Sequence, residues 1–301
     1  MDPHLLRTFV AVARRGSFSA AADELGYTQS AVSQQIAALE HDLGARLLLR
    51  RPVALTDAGA RLLEHAGPIL LRLSAARADI VRLSGPPAAA VVLAATPFAA
   101  FAAATLVAVQ RSMPRVTFTL HVAAREAVAT GVATGELDLG LIDGVAAPSD
   151  PLALPDAGQL DTTVVAQAPV VVAMPVDHPL AGRRSLRLAD LADATWLDAP
   201  IATPLRQLRA LARTEGFRAG IACPGTDTAA LLALIAAGAG LALLPAGAAP
   251  GAPGLLPAGG GAGGVCGVPV VEPRLIHRTE LIHGSLPPAA AAVAAALRAP
   301  V

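Results

Sequence analysis

The chain has 301 residues and no net charge, 23 basic side chains balancing 23 acidic ones, and every basic residue is an arginine. Hydrophobic residues make up 54%, but Pro, Gly or charge interrupts each apolar run well before the roughly 18–20 residues of a membrane helix. The start, MDPHLLRTF, carries an acid and turns amphipathic at once, unlike a secretory leader, and Cys223 and Cys266 imply no disulfide framework. A soluble, cytoplasmic protein of two or three compact units is expected.

Leu5, Phe9 and Val12 share one face of a first helix that stops near Gly16. A short Ala-rich helix over 19–25 meets a turn at Gly26-Tyr27, and Thr28 is placed to cap a second helix. On it Val32, Ile36, Leu39 and Leu43 recur at helical spacing and define a buried face. Its other face opens with Gln29, Ser30, Ser33 and Gln34, short or amide side chains that both donate and accept. A helix-turn-helix offers such a face to the major groove, where every base pair has its own donor and acceptor pattern. The same spacing also fits a helical hairpin with a solvated polar side. Next, LLLRRPVALT (47–56) reads as a small hairpin, or wing, with Arg50 and Arg51 at its tip, set for phosphate or minor-groove contact or simply solvated.

The stretch LLRTFVAVARRGSFSAAADELGYTQSAVSQQIAALEHDLGARLLLRRPVALTDAG, 5–59, resembles the LysR-type transcriptional regulators, nearly without gaps. The resemblance implies an all-α winged helix-turn-helix, residues 1–58, that binds double-stranded DNA through Thr28, Gln29, Ser30, Ser33, Gln34, Arg50 and Arg51. Three features depart from the family: Leu48 replaces a usual Phe, Ser30 a common Pro, and the wing is about two residues short. Residues 1–58 hold six Arg (7, 14, 15, 46, 50, 51) and six acids (2, 23, 24, 40, 42, 57), so the segment has no net charge. Phosphate neutralisation carries much DNA affinity, so one such domain should bind weakly and act in multiples.

Over 57–83, Leu62, Ala66, Ile69, Leu73, Ala76, Ile80 and Leu83 recur in steps of four and three, a heptad-type seam. This resembles the family's linker helix, residues 59–85, which pairs subunits, here through Leu62, Ile69, Leu73 and Ile80. It implies a homodimer, and since the family forms dimers of dimers, a homotetramer. The alternative is a helix packed on its own domain. Pro68 should kink or interrupt it, and Ser84-Gly85-Pro86-Pro87 should form a hinge.

From there strands alternate with helices, an α/β pattern. A strand at 91–95 leads to Thr96-Pro97, read as the start of a helix to about Arg111. A strand follows at 116–122, a helix from Glu126 to Gly135, and a buried strand in GELDLGLID (135–143). A strand at 170–174 enters a second lobe, Thr203-Pro204 opens a helix to about Glu215, and Thr226-Asp227 opens another, running into the strand at 241–244. GELDLGLID, VVVAMPVDHPLAG, GLALLP and LIHRTELIHG stand in the order of the LysR effector-binding domain. That implies a two-lobed fold like the periplasmic binding proteins over 86–301, lobe 1 at about 88–163 and 268–301, lobe 2 at about 164–267. The Gly-rich 246–267 departs from the family and reads as a surface loop.

Ligands in open α/β sheets sit beyond the carboxyl ends of strands, where helix N-termini favour anions. Thr96, Thr203 and Thr226 lie at such junctions, each alternatively only a cap. The resemblance raises Thr96 and Thr203 as effector contacts. Pro97 goes with Thr96, Asp143 ends the strand of GELDLGLID and either faces the cleft or caps the next turn, and the helix ends favour a small, anionic metabolite. Catalysis is poorly supported: G-x-S-x-G, a Walker A loop and a helix-opening G-x-G-x-x-G are all missing. His277 and His283 share one face of a strand, a conceivable metal pair but better read as an exposed face. Cys223 and Cys266 lack the basic neighbours of a reactive thiol. No cofactor, metal or membrane partner is implied. A ligand-responsive transcription regulator is the expected function; a solute-binding protein or an enzyme on the same scaffold are the alternatives.

Overall fold

The structure is a computed structural model that describes residues 1–84, 90–99, 103–154, 160–248 and 264–298, without the side chains of 79 and 81–84. The chain forms two compact units that divide at Ile80/Val81.

In the first unit, α1 (Pro3–Arg15) is opened by Asp2, whose carboxylate accepts from the His4 N–H, and closed by Gly16. Ser17 caps α2 (Phe18–Leu25) and Thr28 caps α3 (Gln29–Leu43), each side chain accepting from the N–H three residues on. Between them Gly26 takes φ +70°, which costs glycine nothing and makes the turn tight. Leu6, Phe9, Val12, Ala21, Val32, Ile36 and Leu39 are fully buried together. Each large side chain so buried stabilises the unit by about 1.5–3 kcal/mol. The hairpin of β1 (Leu48–Arg50) and β2 (Val53–Leu55) follows, antiparallel with Arg50 opposite Val53. The last element, α4 (Asp57–Ser84), runs unbroken through Pro68, so the expected interruption does not occur. Pro68 removes one backbone bond of a helix that other contacts hold. Gly59 lets α4 start against the wing, because a Cβ there would lie 2.0 Å from the Leu47 carbonyl oxygen. Leu83 as a seam residue and the hinge at 85–87 fall outside the described side chains and residues.

In the second unit, one lobe has the strand order β4 (Thr117–Val122), β3 (Ala90–Ala95), β5 (Leu139–Ala146), β12 (Ile276–His283), β6 (Asp161–Pro175). The first three are parallel; β12 is antiparallel to both its neighbours. Helices α5 (Ala103–Ser112) and α9 (Pro288–Arg298) pack on one another, α9 covers one face, and α6 (Arg125–Thr134) covers the other. Strand β6 continues into the other lobe, where β10 (Ala242–Pro245) and β11 (Val265–Glu272) flank it and β7 (Leu186–Arg187) pairs with β11. There β8 (Thr195–Asp198) and β9 (Arg218–Ala222) are parallel, and a bridge from Trp196 to Leu241 joins them to β10. Helix α7 (Leu205–Ala212) packs with Trp196 and Phe217, whose rings meet edge-on at 5.4 Å, and α8 (Thr228–Ala236) packs with Leu197, Ala199 and Leu244.

The sequence expectations shift in four places. Strand pairing moves the passage between lobes to 169/170 and to 273–275, from the expected 163/164 and 267/268, because β6 and β11 extend as single strands. Helix α5 starts at Ala103, so Thr96-Pro97 forms a turn and caps no helix. Strand β5 continues to Ala146, which puts Asp143 inside it. His277 and His283 are buried, against the expected exposed face, since β12 is central and covered on both sides. The Gly-rich loop falls outside the described residues over 249–263, and β11 begins at its end, at Val265.

Candidate functional site

The polar side of α3 is built by its cap and by what holds its neighbours. Thr28 Oγ1 accepts from the Ala31 N–H at 3.2 Å and lies 3.0 Å from Ser30 Oγ. Gln29, Ser30 and Gln34 are exposed and Ser33 is half-buried, while Val32 and Ile36 between them are fully buried. Gln35 belongs to the scaffold, accepting from Thr8 Oγ1 at 2.6 Å. Glu40, which the periodicity did not single out, accepts from the Leu47 and Leu48 N–H groups at 2.8 and 3.2 Å and ties the wing to α3. At the tip, Arg50 and Arg51 are exposed, and the Arg50 guanidinium stacks 5.3 Å from the Phe18 ring centre. Arg14 and Arg15 both pair with Glu24, whose carboxyl the Arg15 hydrogen bond holds below its ordinary pKa. The groups free to face an anion on this unit are therefore few, and the side chains nearest the start of α3 are neutral.

The five expected effector residues are divided by the second unit. Thr96 is buried; its hydroxyl donates to the Leu141 carbonyl and accepts from the Asp143 N–H at 2.9 Å, which locks β3 to β5. Pro97 follows in the turn, and Phe98 packs against the other lobe's cluster of Leu197, Ala199, Ile201 and Ala202. Thr203 is buried and donates to the Leu243 carbonyl; α7 is instead capped at Pro204, with Asp198 accepting from the Leu205 N–H. Asp143 lies 2.7 Å from His277 Nε2, both fully enclosed. Thr226 is exposed, and the cap of α8 is Asp227. Phe98 thus brings the turn after β3 against the other lobe. A cavity of about 480 Å³ opens at the other end of α7, among Ala147, Arg187, Asp190, Arg213, Glu272 and Arg274, and none of the five residues lines it.

Where β5 ends, the starts of α6 and α7 face each other across the lobes. Gln207 Nε2 donates to the Val145 carbonyl at 2.7 Å, and Arg206 lies 3.9 Å from Glu126. Arg125, the first residue of α6, is largely enclosed here, and burial lowers its pKa against the pull of Asp143 and Glu280. The sequence held a sign of this residue: a cation in the first turn of a helix opposes the helix dipole and calls for a reason.

Metal and redox chemistry find no assembled set. Among the described residues no three His, Cys, Asp or Glu side chains gather within reach of one ion. The histidine pair is separate in role: His277 meets Asp143, whereas His283 Nδ1 meets the Gly284 carbonyl at 2.8 Å. Burial pushes the Cys266 thiol up, away from thiolate. No described helix is long and apolar enough to cross a membrane.

The sequence matches the profile of the bacterial regulatory helix-turn-helix protein, lysR family, over residues 3–60 and that of the LysR substrate binding domain over 84–258. It is 34% identical to the uncharacterized HTH-type transcriptional regulator YnfL of Escherichia coli, over 80% of this chain and 81% of that one. It is 32% identical to a probable hydrogen peroxide-inducible genes activator of Mycobacterium leprae, over 81% and 78%. Among solved structures, the LysR family transcriptional regulator CbnR superposes with a TM-score of 0.51 at 24% identity, covering 99% of this chain and 98% of that one. CbnR complexed with its target DNA superposes with a TM-score of 0.50 at 22% identity, covering 99% of both.

Proposed function

The chain belongs to the LysR family of bacterial transcriptional regulators, and from this premise we propose how it reads DNA and what it answers to. It is a DNA-binding regulator with an effector-binding domain, and it is not an enzyme. In our reading Gln29, Ser33 and Gln34 of α3 meet base edges in the major groove, Thr28 and Ser30 meet the backbone beside them, and Arg50 and Arg51 meet phosphates. The observation that carries this is the division of α3: neutral donor–acceptor side chains lie open at its start while Val32, Ile36 and Leu39 are sealed in the core. The protein acts as a homodimer or a dimer of dimers through the far half of α4. A small, anionic metabolite binds between the lobes near Thr96, Pro97, Asp143, Thr203 and Thr226, and works through unequal affinity for two lobe arrangements. Phe98, which packs against the other lobe next to Thr96 and Pro97, lies beside that ligand in this reading.

The redox alternative, prompted by the peroxide-inducible relatives, gains nothing from Cys266, whose thiol is raised. The solute-binding alternative leaves the α3 face without a role.

The experiment is one DNA-binding titration. DNA fragments selected by the purified protein are titrated, with and without pooled small metabolites, against wild type, Gln29→Ala and Thr203→Val. Gln29→Ala should lose about 1–3 kcal/mol on the selected site and relax base preference there. Thr203→Val should weaken the metabolite response and leave ligand-free DNA binding in place. Unchanged preference in Gln29→Ala would remove α3 from the groove; an unchanged metabolite response in Thr203→Val would move the ligand away from this junction.

A further inference from the structure

Arginines of the helix-turn-helix are held in two different ways. Arg14 and Arg15 are held by Glu24, which cancels charge and occupies N–H donors. Arg50 is held by a ring. Its guanidinium carbon lies 5.3 Å from the centre of the Phe18 ring, and among the described residues no carboxylate pairs with it. A cation over a ring is attracted by the ring quadrupole. That attraction neutralises no charge and uses none of the guanidinium N–H donors.

The fold explains how the two residues meet. Side chains alternate between the faces of a strand, so Arg50 shares its face of β1 with Leu48, which is buried in the core. Arg50 stands opposite Val53, the last pair before the tip at 51–52. Phe18 opens α2 and belongs to the same core, at 9% exposure, so its ring is a fixed platform. Glu40 ties the base of the wing at Leu47 and Leu48, and the ring ties its far end. Arg51 is exposed and has no such contact among the described residues.

We propose that Phe18 is a positioning residue for DNA binding: its ring holds the Arg50 guanidinium with charge and donors free for a backbone phosphate, so that Arg50 makes a tighter contact than Arg51. This rests on the reading that the wing meets phosphates and adds what aims it. An unheld arginine must be ordered as it binds, and a prior hold removes part of that cost. The gain counts in a unit whose residues 1–58 carry no net charge. The competing account is that the ring contact only packs the wing onto α2.

A double-mutant cycle on the full-length protein separates the two accounts. Affinity is read by fluorescence anisotropy for a duplex the protein selects and for an unrelated duplex of equal length. Arg50→Ala should weaken both alike and lower the salt slope by about one per bound subunit. Arg51→Ala should weaken them less. Phe18→Leu keeps an apolar side chain and loses the ring. It should weaken both duplexes about two- to fivefold per subunit, the size of an exposed cation–π contact, and cost nothing further once residue 50 is Ala. Should Phe18→Leu loosen the core, a ring-fluorinated phenylalanine at 18 keeps the shape and drains the negative ring face, and the same fall is expected. An equal loss with and without Arg50, no loss from either change at 18, or an Arg51→Ala loss as large as that of Arg50→Ala overturns the proposal and leaves the phosphate reading standing. Arg50→Ala with unchanged affinity and slope removes that reading, and the proposal with it.

Discussion

Glu40 shows how a charged side chain can serve geometry rather than recognition. Its carboxylate gathers two backbone N–H groups at the entrance to β1 and so fixes where the wing stands against α3. Glu40→Ala leaves both donors without that acceptor and should cost about 1–3 kcal/mol in urea unfolding, with a matching loss of affinity for any DNA sequence. Glu40→Gln, which keeps an acceptor oxygen, should recover most of both; a Glu40→Ala protein as stable as wild type would show that the wing needs no such tie. At this scale the sequence was only partly legible. Thr28 reads as a cap because hydroxyl residues before a periodic run do one local job. Thr96 and Thr203 looked the same, yet their hydroxyls bond strand carbonyls 45 and 40 residues away. Local pattern holds no trace of such distant acceptors. Arg125 gave a local sign, a cation opening a helix, but its unpartnered Nε is visible only in the fold.

Among the elements, α3 was legible because one face is buried and the other open. Helix α4 was legible as a helix but not in its allegiance. Leu62 and Ala66 of the seam pack on the domain's own core, with Ala66 at 0% exposure, while Ile69 and Ile80 stand 38% and 65% exposed. Spacings of three and four describe a stripe and cannot say whose core receives it. The proposed subunit contact is therefore assigned to the distal half. Leu73→Asp with Ile80→Asp should convert the dimer to monomer by light scattering and leave the helix-turn-helix folded, since neither residue is in its core. A double variant that remains dimeric would transfer the interface to another element. Strand β12 misled in the opposite direction. His277 and His283 read as one exposed face, but both are buried, His277 against Asp143 and His283 against the Gly284 carbonyl.

For the whole molecule, neutrality sets how the protein must work. With six arginines against six acids over residues 1–58, and two of those arginines held by Glu24, one DNA-binding unit neutralises few phosphates. Assembly then multiplies a small electrostatic contribution. The slope of log affinity against log salt should be about twice as steep for the wild-type protein as for the Leu73→Asp, Ile80→Asp monomer on the same site. Equal slopes by fluorescence anisotropy would mean that a single unit makes all the phosphate contacts. The α/β pattern was legible from the order of strands and helices, and the two lobes only through the family resemblance. The passage between lobes was not legible, because β6 runs through Pro169 as one strand and only the change of pairing partner marks the crossing. That 15-residue strand has a further consequence. It is laced to β12 along one flank up to Pro169 and to β10 and β11 along both flanks from Val170 onward, with no slack residue between. Such a connection resists opening like a jaw more than it resists a change in the twist that strands already carry in a sheet. Whatever settles between the lobes is therefore felt as torque on a stiff rod, a small turn conveyed without delay rather than a wide swing.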